Sequence, residues 1–233
     1  MIKEAIILAG GLGTRLRSVV TDMPKCMAPV AGHPFLYYVI EHFSKQGIEK
    51  FIFALGYKHE MIEAWLSEQY PLMFMQSSVE EESLGTGGAI QKACKLATEK
   101  NVLVINGDTL FSIEATTLSA LHRNCGADCT LALKPLRQFN RYGAVELNTD
   151  HSISSFKEKQ YFESGLINGG VYALNAVKFL QENRPEIFSF EKDYLEKYYR
   201  SGKIFGMVQD KYFIDIGIPE DYEKAKKDLA VSL

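Results

Sequence analysis

The sequence predicts an α/β fold in which a mostly parallel sheet carries helices on both faces. Short apolar runs rich in β-branched and aromatic residues alternate with stretches whose apolar residues recur at helical spacing. That alternation is typical of parallel strands joined by helices. Three polar strings follow predicted strands, at the sheet edge where such folds bind ligands, and they occupy residues 10–17, 106–109 and 215–217.

The first half of the chain has the order β-α-β-α-β-α-β. Gly47 ends the first predicted helix, because glycine readily adopts the left-handed conformation that closes a helix. The predicted strands occupy residues 5–9, 48–55, 72–75 and 101–105. The predicted helices occupy residues 34–46, the region of 61–66, and 85–98.

The second half departs from this order. Residues 142–147 and 152–156 flank the turn Asn148-Thr149-Asp150, which is typical of an antiparallel hairpin. We therefore expect a small antiparallel insertion that binds the substrate. The remaining predictions are strands at 128–134, 170–174, 203–208 and 212–216, and helices at 113–125, 175–183, 190–200 and 219–229. No repeat or linker interrupts the chain, so residues 1–233 are expected to form a single domain.

The composition excludes several classes of function. A formal net charge of −3 argues against nucleic-acid binding, because a phosphate backbone is met by a basic surface. The longest apolar run near the N-terminus, residues 5–9, is too short for a membrane span or for the core of a signal peptide. We expect a cytoplasmic protein that binds neither nucleic acid nor membrane.

The strongest motif is the glycine-rich string Gly10-Gly11-Leu12-Gly13-Thr14-Arg15-Leu16, followed by Pro24-Lys25. Glycines let the backbone N–H groups approach phosphate oxygens, while Arg15 offers a fork to a pyrophosphate and Lys25 a point charge to one phosphate. Leu16 stands where a dinucleotide fingerprint needs glycine, and the Gly-Lys-Ser/Thr of a P-loop is absent. A turn with surface cations is the plainer alternative.

Two acids follow apolar strands, Asp108 in the first half and Asp215 in the second. Each alone is as typical of a turn or a helix cap as of a binding site. Together at strand ends they favour Mg²⁺, which takes one or two carboxylates plus substrate phosphates. Only the fold can bring the two residues together.

Other polar strings permit both a binding role and a plain one. Glu80-Glu81-Glu82 offers a carboxylate to the two N–H groups of guanine, or is a solvated loop. The following Gly85-Thr86-Gly87-Gly88 lets a base or phosphate approach a helix N-terminus. Glu158-Lys159 is equally consistent with a grip on a sugar phosphate and with a solvated charge run. Asn168-Gly169-Gly170 permits close ligand approach, or is a β-turn.

Together and in this order, these strings resemble the sugar-1-phosphate nucleotidyltransferase family. The resemblance implies a Rossmann-like fold of the GT-A type and transfer of a nucleoside monophosphate from an NTP to a sugar 1-phosphate, with release of pyrophosphate. Within the family, Phe190-Glu191-Lys192-Asp193 is similar to a segment of mannose-1-phosphate guanylyltransferases. Arg141-Tyr142-Gly143 and residues 166–170 and 216–222 are most similar to enzymes that act on D-glycero-α-D-manno-heptose 1-phosphate, so GTP and this sugar are the favoured substrates.

The resemblance also implies roles for single residues. Residues 1–135 mainly form the nucleotide-binding core, and residues 136–233 mainly bind the sugar phosphate and close the fold. Catalysis depends on Arg15, Lys25, Asp108 and Asp215, the two acids being the ligands of Mg²⁺. The nucleotide is bound by Leu8, Ala9, Gly10, Gly11, Gly13, Thr14, Arg15, Lys25, Glu80, Glu81, Gly85 and Thr86. The sugar phosphate is bound by Asn106, Gly143, Glu158, Lys159, Asn168 and Gly169.

Three alternatives remain open at this point. The first is a uridylyltransferase that acts on an N-acetylated sugar 1-phosphate, the second a mannose-1-phosphate guanylyltransferase. The third belongs to another class, a catalytically silent nucleotide-sugar sensor, although such a protein is expected to lose the cations or acids that are present here. Whether the chain forms a homo-oligomer is also open.

Overall fold

A mixed sheet forms the centre of the protein. The computed structural model describes residues 1–11, Leu16 and residues 19–230. Within these residues the sheet has nine strands. Seven follow the order Ile153–Lys157 (β10), Ala144–Leu147 (β9), Phe162–Asn175 (β11), Asn101–Asn106 (β6), Glu4–Leu8 (β1), Lys50–Leu55 (β4) and Phe74–Val79 (β5). In addition, Cys129–Phe139 (β8) pairs with β11, and Ile204–Val208 (β12) pairs with β8. The sheet and the helices on both of its faces confirm the predicted α/β class.

The first half of the chain builds the parallel part of the sheet. The strands β6, β1, β4 and β5 lie side by side and all run in the same direction. They occupy Glu4–Leu8 (β1), Lys50–Leu55 (β4), Phe74–Val79 (β5) and Asn101–Asn106 (β6). The connecting helices occupy Phe35–Ser44 (α1), His59–Gln69 (α2) and Gly85–Cys94 (α3).

Alternation along the strands creates two cores. Ile7 of β1 faces a core that α1 and α2 cover, whereas the neighbouring Ile6 faces a core that α3 covers. Both residues are fully buried, which is why the central strands are apolar at every position rather than at every second one. The continuous apolar runs in the sequence thus result from the burial of both faces of the central strands.

The second half contributes the antiparallel part. The long strand β11 pairs antiparallel with β6, β8 and β9, and β9 and β10 form the predicted antiparallel hairpin. The last strand of this sheet along the chain, β12, runs parallel to β8. These strands occupy Cys129–Phe139 (β8), Ala144–Leu147 (β9), Ile153–Lys157 (β10), Phe162–Asn175 (β11) and Ile204–Val208 (β12).

Three predicted strands differ most from the observed bounds, each for a physical reason. The predicted strand 170–174 is the end of β11, whose register shifts between Asn168 and Tyr172 and whose Gly170 has a φ of +72°, so the pattern breaks there. The strand predicted at 128–134 continues as β8 through Pro135, which pairs with Leu166. The strand predicted at 72–75 begins at Phe74 as β5, an edge strand with polar residues, while Leu72 is fully exposed.

Shorter elements complete the fold. Two strands, Thr109–Phe111 (β7) and Phe213–Asp215 (β13), form an antiparallel ribbon apart from the main sheet, and Pro29–Val30 (β2) pairs with His33–Pro34 (β3). The helix predicted at 190–200 is a π-helical turn, Phe190–Leu195, followed by Glu196–Tyr198 (α6) and a 3₁₀ turn, Tyr199–Ser201. The other helices are Ala115–Asn124 (α4), Ala176–Gln181 (α5) and Pro219–Ala230 (α7). No helix among the described residues is both long and apolar enough to span a bilayer.

Candidate active site

A cleft opens at the carboxyl ends of the parallel strands. Its volume is about 960 Å³, and the residues that follow β1, β4 and β6 all contribute to it. The strand ends are tied together, because Gly107 N donates to Leu8 O and Ala9 N donates to Ala54 O, both at 2.9 Å. The described residues that line the cleft are 8–11, 25, 26, 54, 56–60, 79–83, 85, 86, 89, 106, 108, 191 and 217. The position agrees with the general rule for ligand sites in open α/β sheets.

The ribbon of β7 and β13 brings the two predicted acids together. Asp215 pairs with Thr109, the neighbour of Asp108, and Ile216 N donates to Asp108 O at 3.1 Å. The two carboxylates therefore come together from distant parts of the chain. Asp108 lines the cleft, whereas Asp215 is not among its described lining residues but contacts Lys25, which is. Both side chains are partly exposed, Asp108 to 38% and Asp215 to 26%.

Lys25 lies between these acids. Its Nζ donates to Asp108 Oδ2 at 2.6 Å and to Asp215 Oδ1 at 3.4 Å. Gly217 leaves room for this contact, since a Cβ there would lie 2.9 Å from Asp215 Oδ1 and 3.3 Å from Lys25 Nζ. The lysine side chain is only 11% exposed, so its charge is held close to the carboxylates.

Further donors orient Asp215. Gly217 N donates to Asp215 Oδ1 at 2.8 Å, and the Tyr142 hydroxyl donates to Asp215 Oδ2 at 3.4 Å. Burial and then the nearby Asp215 carboxylate raise the pKa of Tyr142, so the phenol keeps the proton that it donates. Tyr142 itself is packed against Arg141, whose guanidinium pairs with Asp221 of α7.

The donor set at this end of the cleft fits a hard divalent cation. Asp108 and Asp215 supply two carboxylates, the ligand type that Mg²⁺ prefers. No cluster of three or more histidine, cysteine or acidic side chains within the described ranges has metal-binding geometry. Phosphate oxygens and water would have to complete the shell, as they usually do for Mg²⁺. The single charge of the Lys25 ammonium offsets only one of the two carboxylate charges, which leaves this end of the cleft favourable for a cation.

Glu80 differs from the two glutamates that follow it. Its Oε2 accepts a hydrogen bond from Leu84 N at 3.1 Å, and its side chain packs between Gly10 and Gly56. A Cβ on Gly56 would lie 2.9 Å from Glu80 Oε1, so glycine is required for this approach. Glu81 and Glu82 are exposed. Among the three acids, Glu80 is therefore the one with a fixed orientation.

The glycines of α3 serve two purposes. Gly85 and Thr86 line the cleft, as expected of residues that a ligand approaches. Protein also covers one side of these glycines, because a Cβ on Gly85 would lie 2.6 Å from Phe188 O and one on Gly87 would lie 2.2 Å from Phe188 Cε2, and Gly87 and Gly88 do not line the cleft. The expected approach of a base or phosphate is thus limited to the first two residues of the string.

The predicted sugar-phosphate residues fall into two groups. Asn106 lines the cleft and lies next to the turn of Asn168, since a Cβ on Gly170 would lie 2.7 Å from Asn106 Nδ2. Asn168 itself donates from Nδ2 to the Tyr172 hydroxyl at 2.8 Å. Neither Asn168 nor the other predicted residues, Gly143, Glu158, Lys159 and Gly169, are among the cleft-lining residues of the described ranges.

In the second group, the two glycines are required by local packing and the two charged residues are exposed. A Cβ on Gly169 would lie 2.3 Å from Phe111 Cδ1, and one on Gly143 would lie 2.5 Å from Lys157 O, so close packing already requires both glycines. Glu158 and Lys159 follow β10 and are exposed. Their roles toward a sugar phosphate stay predictions.

Several residues of the cleft were not predicted from the sequence, and three predicted residues lie outside the described part of the chain. Residues 57–60 line it because they follow β4, a position that the strand order alone indicates. Glu191 also lines it, and it accepts a hydrogen bond from Thr86 Oγ1 at 2.8 Å. The resemblance of residues 190–193 to a family segment was the available signal for Glu191. The predicted residues Gly13, Thr14 and Arg15 lie outside the described residues.

Fold, cleft and paired acids agree with the comparison to known families. The family model described as nucleotidyl transferase matches residues 4–232, and the chain belongs to that family.

The chain is 52% identical over 226 residues to D-glycero-alpha-D-manno-heptose 1-phosphate guanylyltransferase of Aneurinibacillus thermoaerophilus, covering 97% of this chain and 98% of the relative. It is 44% identical over 219 residues to the protein of the same name from Campylobacter jejuni, covering 94% and 96%. Among solved structures, HddC from Yersinia pseudotuberculosis complexed with GMP-PN superimposes with a TM-score of 0.87 at 37% identity, covering 98% of this chain and 100% of HddC. Relatives of this kind are guanylyltransferases by name, and one neighbour was solved with a guanine nucleotide.

Proposed function

We propose that this protein transfers GMP from GTP to D-glycero-α-D-manno-heptose 1-phosphate and releases pyrophosphate. The observation that carries the proposal is the meeting of Lys25, Asp108 and Asp215 at the strand ends of one cleft, with Glu80 fixed beside the same strand ends. The names of the relatives support the choice of nucleotide and of sugar. A cytoplasmic location remains part of the proposal.

The chemistry needs no activated nucleophile of the protein. An oxygen of the sugar phosphate attacks the α-phosphorus of GTP in line, one P–O bond forms, and the bond to the β-phosphate breaks as pyrophosphate leaves. Both reactants are anions, so catalysis consists of positioning and charge neutralisation. Mg²⁺ held by Asp108 and Asp215 would supply part of that neutralisation when bound.

The protein's own cations supply the rest in this proposal. Lys25 carries a charge at the acids and contacts the α-phosphate, where negative charge is shared between the incoming and leaving groups. Its pairing with two carboxylates holds the ammonium in place before the nucleotide binds, which reduces the ordering needed at the moment of reaction. Arg15 binds the β- and γ-phosphates and then the departing pyrophosphate.

Glu80 selects the base. Its carboxylate accepts hydrogen bonds from N1–H and the N2 amino group of guanine, whereas uracil offers one N–H on that edge. The bond from Leu84 N and the packing against Gly10 fix the orientation of the carboxylate. A site built to accept two hydrogen bonds rejects a base that leaves one acceptor unpaired.

The test is pyrophosphate release in Mg²⁺ with each of five NTPs against heptose, mannose, glucose and N-acetylated sugar 1-phosphates. We expect the highest kcat/KM for GTP with D-glycero-α-D-manno-heptose 1-phosphate. A preference for UTP with an N-acetylated sugar would establish the uridylyltransferase alternative instead. No release with any pair, from a protein that binds nucleotide, would establish the silent sensor.

A further inference from the structure

An arginine remote from the reacting groups is buried in a box of aromatic rings. The Arg184 side chain is only 4% exposed. Its guanidinium carbon lies 4.1 Å from the centroid of the Phe179 ring and 4.7 Å from that of Tyr194, with the rings of Phe188 and Tyr198 each at 6.0 Å. Burying a guanidinium is costly unless its donors and its charge are compensated.

The guanidinium is only partly compensated. Nη1 donates to the carbonyl oxygen of Phe179 and Nη2 to the carboxylate of Glu182, whereas the buried Nε has no hydrogen-bond partner in the part of the chain that the structure describes. The planar fork thus joins the end of α5 to the chain that follows it, while the rings stack on its faces. The ammonium of a lysine at position 184 could not make both hydrogen bonds and lie against both nearest rings at the same time.

The segment that Arg184 holds, residues 184–191, lies across the N-terminal end of α3. Gly87 N donates to Phe188 O at 2.9 Å, and Phe188 N donates to Leu84 O at 3.1 Å. Two glycines allow the close approach, since a Cβ on Gly88 would lie 2.2 Å from Glu186 O and one on Gly87 would meet the Phe188 ring. Residues 185–187 are exposed, so Arg184 and Phe188 are the buried anchors of the segment.

The far end of the segment reaches the cleft. Thr86 Oγ1 accepts from Phe190 N at 2.8 Å and donates to Glu191 Oε2 at 2.8 Å, so one hydroxyl joins α3 to the end of the segment. Ser189 Oγ donates to the same carboxylate oxygen at 3.2 Å. Glu191 is therefore a cleft carboxylate whose place depends on how residues 184–191 pack.

Glu191 connects the predicted nucleotide residue Thr86 with the side of the cleft where the sugar is expected. Its chain neighbour Phe190 packs against Tyr172. The Tyr172 hydroxyl accepts from Asn168, a predicted sugar-phosphate residue, and its ring packs edge-on against Phe190 at 5.1 Å. Glu80, at the nucleotide end, is contacted by Leu84 N, Gly10 and Gly56, and the segment reaches it only indirectly, through the bond from Phe188 N to Leu84 O.

We propose that Arg184 is a positioning residue for the sugar end of the cleft. Through its aromatic box it holds residues 184–191 against α3 and thereby sets the place of Glu191. The proposal rests on the proposed function, because it assigns the sugar to that end. Its consequence is an unequal effect: loosening the segment weakens the use of the sugar phosphate more than it weakens nucleotide binding, which the segment touches through Leu84 and Thr86.

The experiment compares Arg184→Lys, Arg184→Met and the wild type with the acceptor that gives the highest wild-type rate. Because misplacing a substrate-contacting group by about 1 Å costs up to about 100-fold, we expect KM for the sugar 1-phosphate to rise about tenfold in Arg184→Lys and more in Arg184→Met. The dissociation constant of GTP, measured by calorimetry without the sugar, should change less than about threefold. Arg200→Lys is the matched control, since Arg200 also lies over a tyrosine ring, that of Tyr199, but is exposed.

A purely structural role makes a different prediction. Thermal unfolding would then shift in both Arg184 variants while KM for the sugar stayed at the wild-type value, and that result would overturn the proposal. Glu191→Gln decides the matter if the Arg184 variants do not fold, because it keeps the shape and removes the charge. We expect the same rise in KM, and an unchanged KM would overturn the proposal. An inactive wild type would end the proposed function as well, whereas an active wild type with unaltered variants would end this inference alone.

Discussion

Replacing Glu80 with glutamine should remove most of the preference for guanine. Leu84 N donates to Glu80 Oε2 at 3.1 Å, so this backbone group requires an acceptor at that position. A glutamine at position 80 would satisfy it with its carbonyl oxygen and would direct its NH₂ group toward the base. Guanine presents two donors on that edge, so the amide NH₂ would face donors where the carboxylate had accepted from them, and those hydrogen bonds would be lost.

The magnitude follows from the two hydrogen bonds. A hydrogen bond to a charged group contributes about 1.5–3 kcal/mol, so the loss of two, partly offset by solvent, amounts to about 3 kcal/mol. At 1.4 kcal/mol per tenfold, kcat/KM for GTP should fall about 100-fold. The fall for ITP should be smaller, because inosine lacks the N2 amino group and loses one bond rather than two.

The assay is pyrophosphate release with GTP and ITP at a fixed concentration of the sugar 1-phosphate. Glu68→Gln is the matched control, because Glu68 is exposed and is not among the described cleft-lining residues, and it should leave kcat/KM for either nucleotide unchanged; Glu81→Gln tests the neighbouring acid of the cleft. Circular dichroism shows whether each variant is folded. If Glu80→Gln kept the wild-type ratio of GTP to ITP while Glu81→Gln lost it, the assignment of the base-reading residue would be wrong.

Three further predictions concern the acids, the packing of α3 and a buried histidine. Asp108→Asn should lower kcat by at least about 100-fold with an intact fold, because the charge acts mainly in the transition state; steady-state kinetics with near-full activity would refute the metal assignment. Gly87→Ala should lower the free energy of unfolding by about 1–3 kcal/mol in urea titrations, since the new Cβ meets the Phe188 ring, whereas Gly11→Ala has no described atom within 4 Å and should not. Burial lowers the pKa of His122 to about 4, so between pH 6.5 and 4 the unfolded chain binds a proton that the folded protein does not. Stability should therefore fall by about 3 kcal/mol as the pH drops through that window, and denaturant titrations of His122→Gln should show a flatter dependence.

The alternation of apolar runs was sufficient to predict the class of fold and the central strands. Ile6 and Ile7 are both fully buried, one in each core, and such two-sided burial produces the continuous apolar runs that a parallel sheet requires. The bounds failed where local chemistry breaks the pattern. Gly170 in a left-handed conformation and Pro135 in a paired strand both look like strand ends in a sequence, and each lies within a strand here.

Glycines were the least predictable part of the candidate site. The sequence cannot distinguish a glycine that a ligand approaches from a glycine that leaves space for a packed side chain. Only the neighbouring atoms in the structure separate the two cases. The absence of a side chain at Gly87 and Gly88 leaves space for residues 186–188. In the same way, Gly169 leaves space for Phe111 and Gly10 for Glu80. From the sequence alone, all of these glycines were predicted to be places where a ligand approaches the backbone.

The meeting of the two acids depends on elements too short to predict as partners. Asp215 ends β13, a strand of three residues, and its partner β7 also has three, so neither has enough alternation to indicate a pairing. The pairing places Thr109 opposite Asp215, and the bond from Ile216 N to Asp108 O fixes the next step of the ribbon. A shift of the ribbon by one residue would turn Asp215 to the opposite face, because side chains alternate along a strand. The ribbon is held by the burial of Leu110, Phe111 and Ile214, so the geometry of the charged site is set by apolar contacts on its other side.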